Sequence, residues 1–544
     1  MSLTPEHLII APILIPFVAG ALMLLYDERQ RRAKLALGLG SAVALLITAV
    51  ELLNRSNGSP LPDEGAIRFY LLGDWAVPFG IVLVLDRLSS MMLVLTGLLA
   101  IPALIYSAAG WHKQGQHFHS LFQFLLMGLN GAFLTGDLFN LFVFFEVLLV
   151  ASYGLLLHGT GQLRVRAGLH YIAVNLTASL MFLIGVSLIY GVTGTLNMAQ
   201  LARLIPDVSA ADQPLLHAGA AILGLAFLVK AGIWPLSFWL PTAYMAGAAP
   251  VAAMFAIMTK VGIYVLLRLS LLLFGAGAGA STGFGAEVLI AGGMATVTFG
   301  TLGVLASQGL GRIAAHLVLV SSGTLLAVIG FSLAGGGSGM LAGALYYLVS
   351  STLAISALFL LIEPMSREEG GIAAMLALTA DAYGLADIDD DGTPEVGLAV
   401  PGTLAVLGLC FGACLMVLAG LPPLSGFVGK VAMLSAALRE GGAAPLLLWG
   451  FMALLLISGF ATLIALIRIG IQTFWASDGT VPKVLALEIA PVLLLIGMTL
   501  LLTVRAQDTI RYMEATSRAL VVPSVYVDGV LSAPRRADQP EVSP

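Results

Sequence analysis

Four charged side chains lie inside apolar stretches that are long enough to cross a bilayer: Glu146, Lys230, Lys260 and Lys430. A charge at the centre of a membrane costs about 2.5–3.5 kcal/mol on insertion scales, so such residues normally mark a transport path or a partner charge. Carboxyl and amine groups both exchange protons, and each compensates the charge of the other. One acid and three bases therefore indicate that protons or cations move through the molecule.

The position of each charge within its apolar stretch separates a functional role from a structural one. Lysine near a helix end can extend its amine to the membrane surface, which is the structural alternative for each of these lysines. Lys260 lies near the middle of the run 251–273, and Glu146 is the ninth residue of the run that starts at Leu138. Both positions favour burial at membrane depth.

Lys230, Lys430 and His316 each keep an alternative interpretation. Lys230 lies at membrane depth only if its helix resumes beyond Pro235, and Lys430 has the alternative of an interfacial position at the end of a shorter span. His316 lies inside a span, and histidine titrates near neutrality. It is a candidate proton relay between lysines, with a hydrogen-bonded packing role as the alternative.

The composition assigns the chain to the polytopic membrane proteins. Hydrophobic residues make up 59% of its 544 residues and charged residues only 10%, a balance that excludes a soluble globular domain. Apolar runs of about 20 residues are typical of transmembrane helices, so the fold class is all-α. We predict fourteen helices, centred near residues 16, 43, 100, 127, 148, 180, 225, 260, 295, 322, 351, 412, 457 and 494.

Charge outside the spans predicts the orientation and limits the partners. The first loop holds Arg29, Arg31, Arg32 and Lys34, and the positive-inside rule places it in the cytoplasm. An even number of crossings then puts both termini outside. The formal charge of -5 is spread thinly, without the basic block that nucleic-acid binding would require. Membrane lipid is therefore expected around the chain, and nucleic acid is not.

Two predicted spans are interrupted by prolines. Pro235 and Pro241 interrupt the seventh span, and Pro422 and Pro423 interrupt the twelfth, while both spans contain Pro-Leu-Ser. A helix can lose its hydrogen bonds at membrane depth only where protein or water replaces them. Discontinuous helices of this kind are typical of ion sites in transporters. We therefore predict discontinuous seventh and twelfth helices at the site.

The five-helix separation of these interruptions predicts an inverted repeat, because an odd separation reverses the direction in which a helix crosses the membrane. Residues 118–273 would form the first five-helix repeat and residues 284–470 the second. Residues 1–110 would hold the N-terminal helices with an outer hairpin, whose strands we expect at 67–70 and 81–85. The last helix would occupy 471–504 and a polar tail 505–544.

No metal or cofactor site is predicted. The acidic segment Asp387 to Gly392 has the start of a calcium loop, but the twelfth position of that loop is Leu398 instead of the required Glu. Cys410 and Cys414 are too few to form a metal site, and the glycine-rich stretch 275–285 lacks the preceding strand of a phosphate-binding loop.

Several motifs resemble the D subunits of Mrp-type multisubunit Na+(K+)/H+ antiporters. They are Gly136-Asp-Leu-Phe-Asn-Leu-Phe-Val-Phe-Phe-Glu146, Thr193-Gly-Thr-Leu-Asn-Met-Ala199, the stretch 230–250, and Gly420-Leu-Pro-Pro-Leu-Ser-Gly-Phe427. The resemblance runs from about residue 8 to 505, and it extends to the antiporter-like subunits of respiratory complex I. It implies fourteen helices, two inverted five-helix repeats and broken seventh and twelfth helices.

The resemblance also implies roles for the charged residues. Glu146 would pair with Lys230, Lys260 would be the central relay, and Lys430 would be the terminal site, towards a neighbouring subunit or the outer side. Ser321 stands where several complex I relatives have histidine, which leaves the path from Lys260 to Lys430 open.

A histidine at the position of His316 is seen in many Mrp D subunits. The resemblance implies a secondary transporter subunit, not an enzyme, in the inner membrane of a bacterium. Its expected partners are the A, B, C, E, F and G subunits, with H+ and Na+ or K+ as the ions. Two alternatives stay open: a proton-pumping subunit of a complex I or membrane hydrogenase-type redox complex, and a membrane scaffold that transports nothing.

Overall fold

The structure, a computed structural model, describes residues 5–27, 29–57, 67–159, 161–366, 402–440, 445–474 and 484–533. The helices of the first half are α1 (Ala11–Leu25), α2 (Arg31–Asn57), α3 (Arg87–Ser107), α4 (Phe118–Leu134), α5 (Leu138–Leu156), α6 (Gln162–Thr193), α7 (Met198–Leu204), α8 (Gln213–Ala231), α9 (Trp239–Ala246) and α10 (Ala249–Phe274). Those of the second half are α11 (Ala286–Ala306), α12 (Leu310–Leu333), α13 (Ser338–Ser366), α14 (Gly402–Ala419), α15 (Ser425–Glu440), α16 (Pro445–Phe474), α17 (Ala486–Val504), α18 (Ala506–Val521) and α19 (Ser524–Leu531).

The predicted membrane-spanning fold is confirmed. Each of the fourteen predicted centres lies within one of these helices. In the described part of the chain, twelve helical segments are long and apolar enough to cross a membrane, and α1 and α4 are shorter apolar helices. Helices α8–α9 together form one of these twelve segments, which corresponds to the predicted seventh crossing, and α14 forms another, which begins the predicted twelfth.

The predicted hairpin is also present. Strand β1 (Arg68–Leu71) pairs antiparallel with β2 (Val82–Leu85), with Arg68 opposite Leu85. Every residue of β2 is buried, because the strand packs under the turn between α4 and α5. There the Gly136 amide donates a hydrogen bond of 2.9 Å to the Val82 carbonyl.

Three helices form the centre of the molecule: α10, α12 and α13 are buried along nearly their whole length. Small residues allow neighbouring helices to approach closely, as is usual inside membranes. Between α11 and α12, for example, a Cβ added to Gly293 would lie 2.4 Å from the Ala327 backbone nitrogen. The central helices therefore hold their polar side chains away from lipid.

The seventh and twelfth crossings are discontinuous. The first helix of each crossing, α8 or α14, ends with the same backbone conformation. Gly232 follows α8 at φ +76°, and Gly420 follows α14 at φ +80°. The next amide then reaches back five residues: Ile233 N donates to Leu228 O at 3.0 Å, and Leu421 N donates to Met416 O at 2.9 Å. This closure needs a left-handed residue, which glycine adopts without steric cost.

The two breaks share more sequence than the Pro-Leu-Ser match. Gly232-Ile-Trp-Pro-Leu-Ser237 and Gly420-Leu-Pro-Pro-Leu-Ser425 carry glycine, proline, leucine and serine at the same four positions. A common closure and a common sequence support the predicted repeat, which stays a prediction. Pro241 does not interrupt a helix, because it lies in the first turn of α9, where its missing amide hydrogen is tolerated.

Candidate functional site

The start of α5 is fixed by polar side chains, and this sets the position of Glu146 further along the helix. The Asp137 carboxylate accepts a hydrogen bond of 2.8 Å from the Asn140 amide, which caps the helix. The Asn140 side chain donates to the Thr135 hydroxyl at 2.9 Å. Burial raises the pKa of Asp137, and the bonds from the α5 backbone oppose this shift.

The sequence motifs at 136–146 and 193–199 meet in this structure. The Leu138 amide donates to the Leu196 carbonyl at 2.9 Å, and the Met198 amide donates to the Gly136 carbonyl at 2.9 Å. The segment before α5 is thus joined to the segment before α7. Their contact holds α5 against the end of α6.

Glu146 and Lys230 line the same narrow cleft between α5, α6 and α8. The Lys230 amine donates to the Asn175 carbonyl at 3.3 Å and lies 5.3 Å from the centre of the Phe145 ring. The Glu146 Oε1 atom is buried and has no hydrogen-bond partner among the described residues. The expected pair is therefore close enough to interact electrostatically but makes no direct ion pair in the described chain.

Lys260 is completely buried in the centre of the molecule, with 0% of its surface exposed. Its amine donates a hydrogen bond of 2.7 Å to the Ser321 hydroxyl. The Ser321 hydroxyl in turn lies 2.9 Å from the Ser351 hydroxyl. One line of hydrogen bonds therefore runs from α10 through α12 to α13.

Lys430 is buried beside the break of the twelfth crossing. Its amine donates to the Ala419 carbonyl at 2.9 Å and to the Leu418 carbonyl at 3.5 Å. These carbonyls lie at the end of α14, where helical carbonyls lack partners and carry partial negative charge. With 7% of its surface exposed, the Lys430 side chain is buried inside the chain.

A second hydroxyl pair connects α13 to the helix that carries Lys430. The Ser350 hydroxyl lies 2.7 Å from that of Ser425, the first residue of α15. Adjacent serines of α13 therefore face the two sites: Ser351 continues the line from Lys260, and Ser350 reaches α15.

His316 lies apart from these groups. Its ring is half-buried against α11, with its centre 6.2 Å from that of Phe299, and its Nδ1 bonds to the Arg312 carbonyl at 2.8 Å. Ser321 is five residues further along α12, which corresponds to a rotation of about 140° around the helix. Among the described residues, the structure brings His316 to neither Lys260 nor Lys430.

Two polar residues at these sites, Ser350 and Ser351, were not predicted from the sequence. Adjacent serines at 321–322 and 350–351, within otherwise apolar helices, were the available signal. The described part of the chain has no group of His, Cys, Asp and Glu arranged to hold a metal ion. The acidic segment 387–392 lies outside the described residues.

Comparison with known proteins relates the whole chain to characterised transport proteins. The family model described as NADH:quinone oxidoreductase/Mrp antiporter, transmembrane, matches residues 135–458. The D subunit of the probable K(+)/H(+) antiporter of Rhizobium meliloti (strain 1021) is 56% identical over 543 residues, which cover 98% of this chain and 99% of the relative. The D subunit of the Na(+)/H(+) antiporter of Alkalihalophilus pseudofirmus is 32% identical, covering 97% and 99%.

Solved structures share the fold. A chain of the Mrp complex from Dietzia sp. DQ12-45-1b superposes with a TM-score of 0.79 at 26% identity, covering 98% of this chain and 100% of that one. A chain of respiratory complex I from Thermus thermophilus with bound NADH has a TM-score of 0.73 at 22% identity, covering 97% and 100%. The second likeness concerns the fold alone.

Proposed function

The chain belongs to the NADH:quinone oxidoreductase/Mrp antiporter family, and we propose that it is the D subunit of a multisubunit monovalent cation/proton antiporter. The observation that carries the proposal is the 56% identity to the D subunit of another antiporter over 98% of the chain. It is a multi-pass membrane protein that works with the other subunits of an Mrp-type complex.

In the proposed path, protons enter at the cleft that holds Glu146 and Lys230. A nearby carboxylate favours the charged form of a lysine, whereas burial favours the neutral form. Two unit charges about 4 Å apart interact by about 4 kcal/mol at an effective dielectric constant of 20. Because the two side chains share a cleft without direct contact, a small approach or separation changes the charge that Lys230 prefers.

In the proposed path, serine hydroxyl groups carry protons onward from Lys260. A hydroxyl donates one hydrogen bond and accepts others, so Ser321 and Ser351 can carry a proton from Lys260 towards α13. Ser350 and Ser425 continue towards α15 and Lys430. A serine cannot store a proton near neutral pH as a histidine can. Each transfer must therefore run from lysine to lysine, with bridging water between the two hydroxyl pairs.

The alternative, a proton-pumping subunit of a redox complex, is supported by the fold shared with the complex I chain. That likeness does not favour it over antiport, because the fold is common to both classes. A redox complex would purify with flavin or iron–sulfur subunits, and an antiporter would not.

The test uses inverted membrane vesicles that contain the whole complex. Adding KCl or NaCl to vesicles with an acid interior should release protons, and the salt that acts at the lower concentration identifies the preferred cation. Lys260→Ala should abolish the response, while Lys113→Ala, which removes an exposed lysine outside the spans, should not change it. Full proton release by Lys260→Ala would refute the proposed path.

A further inference from the structure

A pocket of about 390 Å³ lies where α3 and α13 begin, beneath the C-terminal helices α18 and α19. Direct contacts hold these helices on the membrane domain. The Tyr512 hydroxyl donates to the Arg87 carbonyl at 2.7 Å, and the Ser517 hydroxyl donates to the Ser338 carbonyl. The buried Tyr526 ring lies 5.1 Å from the Arg268 guanidinium carbon. The pocket is thus a partly open cavity between packed elements.

One buried positive charge in this pocket has no counter-charge among the described residues. Arg268 forms an ion pair with Asp86, the one acid among the described residues that line the pocket. Burial alone would raise the pKa of Asp86, but the charge of Arg268 and the bonds to the carboxylate hold it below the usual value. This pair is therefore neutral as a unit, and among the residues that the structure describes it leaves Arg87 without a counter-charge.

Arg87 is 8% exposed, and its Nε atom is buried without a hydrogen-bond partner in the described chain. A buried, unpaired charge is costly, so the position calls for an anion. The exposed Arg518 lies at the rim of the same pocket and adds a second positive charge. Arginine binds phosphate oxygens through two parallel hydrogen bonds, which makes phosphate a suitable anion.

Most of the remaining pocket wall is apolar, and the pocket lies at the ends of the apolar helices α3 and α13, where the headgroup region of a membrane is expected. Leu88, Leu520, Val521, Val522 and Val525 line it. Helix α18 follows the membrane-spanning α17 directly and buries one face while its charged residues face outwards, as helices at a membrane surface do. A ligand that fits this wall has an anionic head and an apolar body.

We propose that the pocket binds the phosphate headgroup of an anionic phospholipid, with Arg87 as the principal contact. The volume holds a phosphate, its glycerol and the first methylene groups, while the remaining acyl chain lies outside. Bound lipid would join the C-terminal helices to the start of α3. This site lies away from Glu146 and the three lysines, so it does not depend on the proposed proton path.

Lipid analysis of the purified whole complex tests the proposal. After gentle detergent extraction, mass spectrometry should find at least threefold less anionic phospholipid bound to Arg87→Gln than to the unmodified complex. Arg439→Gln serves as the matched control, because Arg439 is an exposed arginine of α15 outside the pocket. Equal lipid retention by Arg87→Gln and the unmodified complex would overturn the proposal.

A second variant and a competition experiment test the lipid site independently of Arg87→Gln. Ala519→Phe fills the pocket from α18 without removing a charge, and it should lower bound lipid to the same extent if Arg87→Gln fails to assemble. Delipidated complex should gain thermal stability from micromolar phosphatidylglycerol and none from inorganic phosphate at the same concentration. Equal stabilisation by inorganic phosphate would show a soluble-anion site instead and would also overturn the proposal.

Discussion

The three buried lysines differ in the groups that accept their hydrogen bonds. Lys230 and Lys430 donate to backbone carbonyls, which can only accept, whereas Lys260 donates to the Ser321 hydroxyl. A hydroxyl can reverse its role and donate to a neutral amine. A neutral lysine amine can still donate to a carbonyl, but of the three lysines only Lys260 donates to a group that can also return a hydrogen bond to the lone pair of the amine, which suits a residue that receives and releases protons.

Ser321→Ala should slow antiport because it removes the acceptor of the Lys260 amine. A hydrogen bond to a charged group contributes about 1.5–3 kcal/mol, so a decrease of about ten- to hundredfold in rate is expected if this energy is lost in the transfer step. Proton release from vesicles after addition of salt measures the rate. Ser322→Ala is the matched control, because the adjacent hydroxyl is buried without a hydrogen-bond partner in the described chain. Equal rates for the two variants would contradict the relay.

Glu146→Gln and Lys230→Gln should each abolish salt-driven proton movement while the complex still assembles. If the two residues act as one unit, the double variant should be no less active than either single variant. The same vesicle assay measures the rates, with immunoblotting for the inserted chain. Glu51→Gln removes an exposed carboxylate that pairs with Arg55 on α2 and should leave transport unchanged. Full salt-driven proton movement in either single variant would contradict this role.

At the scale of helices, Gly420 is the critical position of the second break. It has φ +80°, and a Cβ added there would lie 2.7 Å from Lys430 Cδ. The close approach lets the Lys430 amine reach the end of α14. Backbone conformation and lysine position are therefore coupled at one residue.

Gly420→Ala should lower both thermal stability and transport. The left-handed conformation costs a non-glycine residue about 1–2 kcal/mol, and the added methyl group displaces the Lys430 side chain. Unfolding of the purified complex and the vesicle assay measure the two effects. Gly412→Ala, in the same helix, has no atom within 4 Å of the added Cβ and should be neutral or slightly stabilising. Equal thermal stability and equal transport rates for the two variants would contradict this explanation of the break.

The helices were predictable from the sequence because each apolar run is long enough to span a membrane, and the hairpin was predictable from its strand pattern. The residues at which the broken helices end could not be predicted. Gly232 and Gly420, which precede the prolines, end α8 and α14, whereas Pro241 ends neither helix. The direction in which the His316 side chain points could also not be predicted from the sequence. Which face of α12 meets α10, α11 or α13 depends on packing between distant segments.

At the scale of the molecule, buried central helices contrast with apolar outer surfaces. Leu163 of α6 is 83% exposed and Leu446 of α16 is 85% exposed, and both helices carry further exposed apolar residues. Large exposed apolar surfaces of a membrane protein contact lipid or other subunits. The outer surfaces of this chain are therefore expected to be covered by lipid or by other subunits, in agreement with an Mrp-type complex.

Expressed without the other subunits, the chain should insert into the membrane but give no salt-dependent proton movement. Restoring the partner subunits should restore it, because the relatives of this chain are subunits of multisubunit antiporters. Vesicles from cells that lack native antiporters allow this comparison. The purified complex should also lack flavin and iron–sulfur absorbance. Transport by the chain alone, or such absorbance, would argue against the proposed assembly.

The two breaks share a sequence pattern but are tied down differently. Ser425 is bonded to Ser350, whereas the buried Ser237 hydroxyl has no hydrogen-bond partner in the described part of the chain. The first break is instead anchored by the Trp234 amide, which donates to the Thr296 hydroxyl of α11 at 2.8 Å. The two breaks are therefore tied to different helices, so a shift of α11 would act on the break beside Lys230 and a shift of α13 on the break beside Lys430.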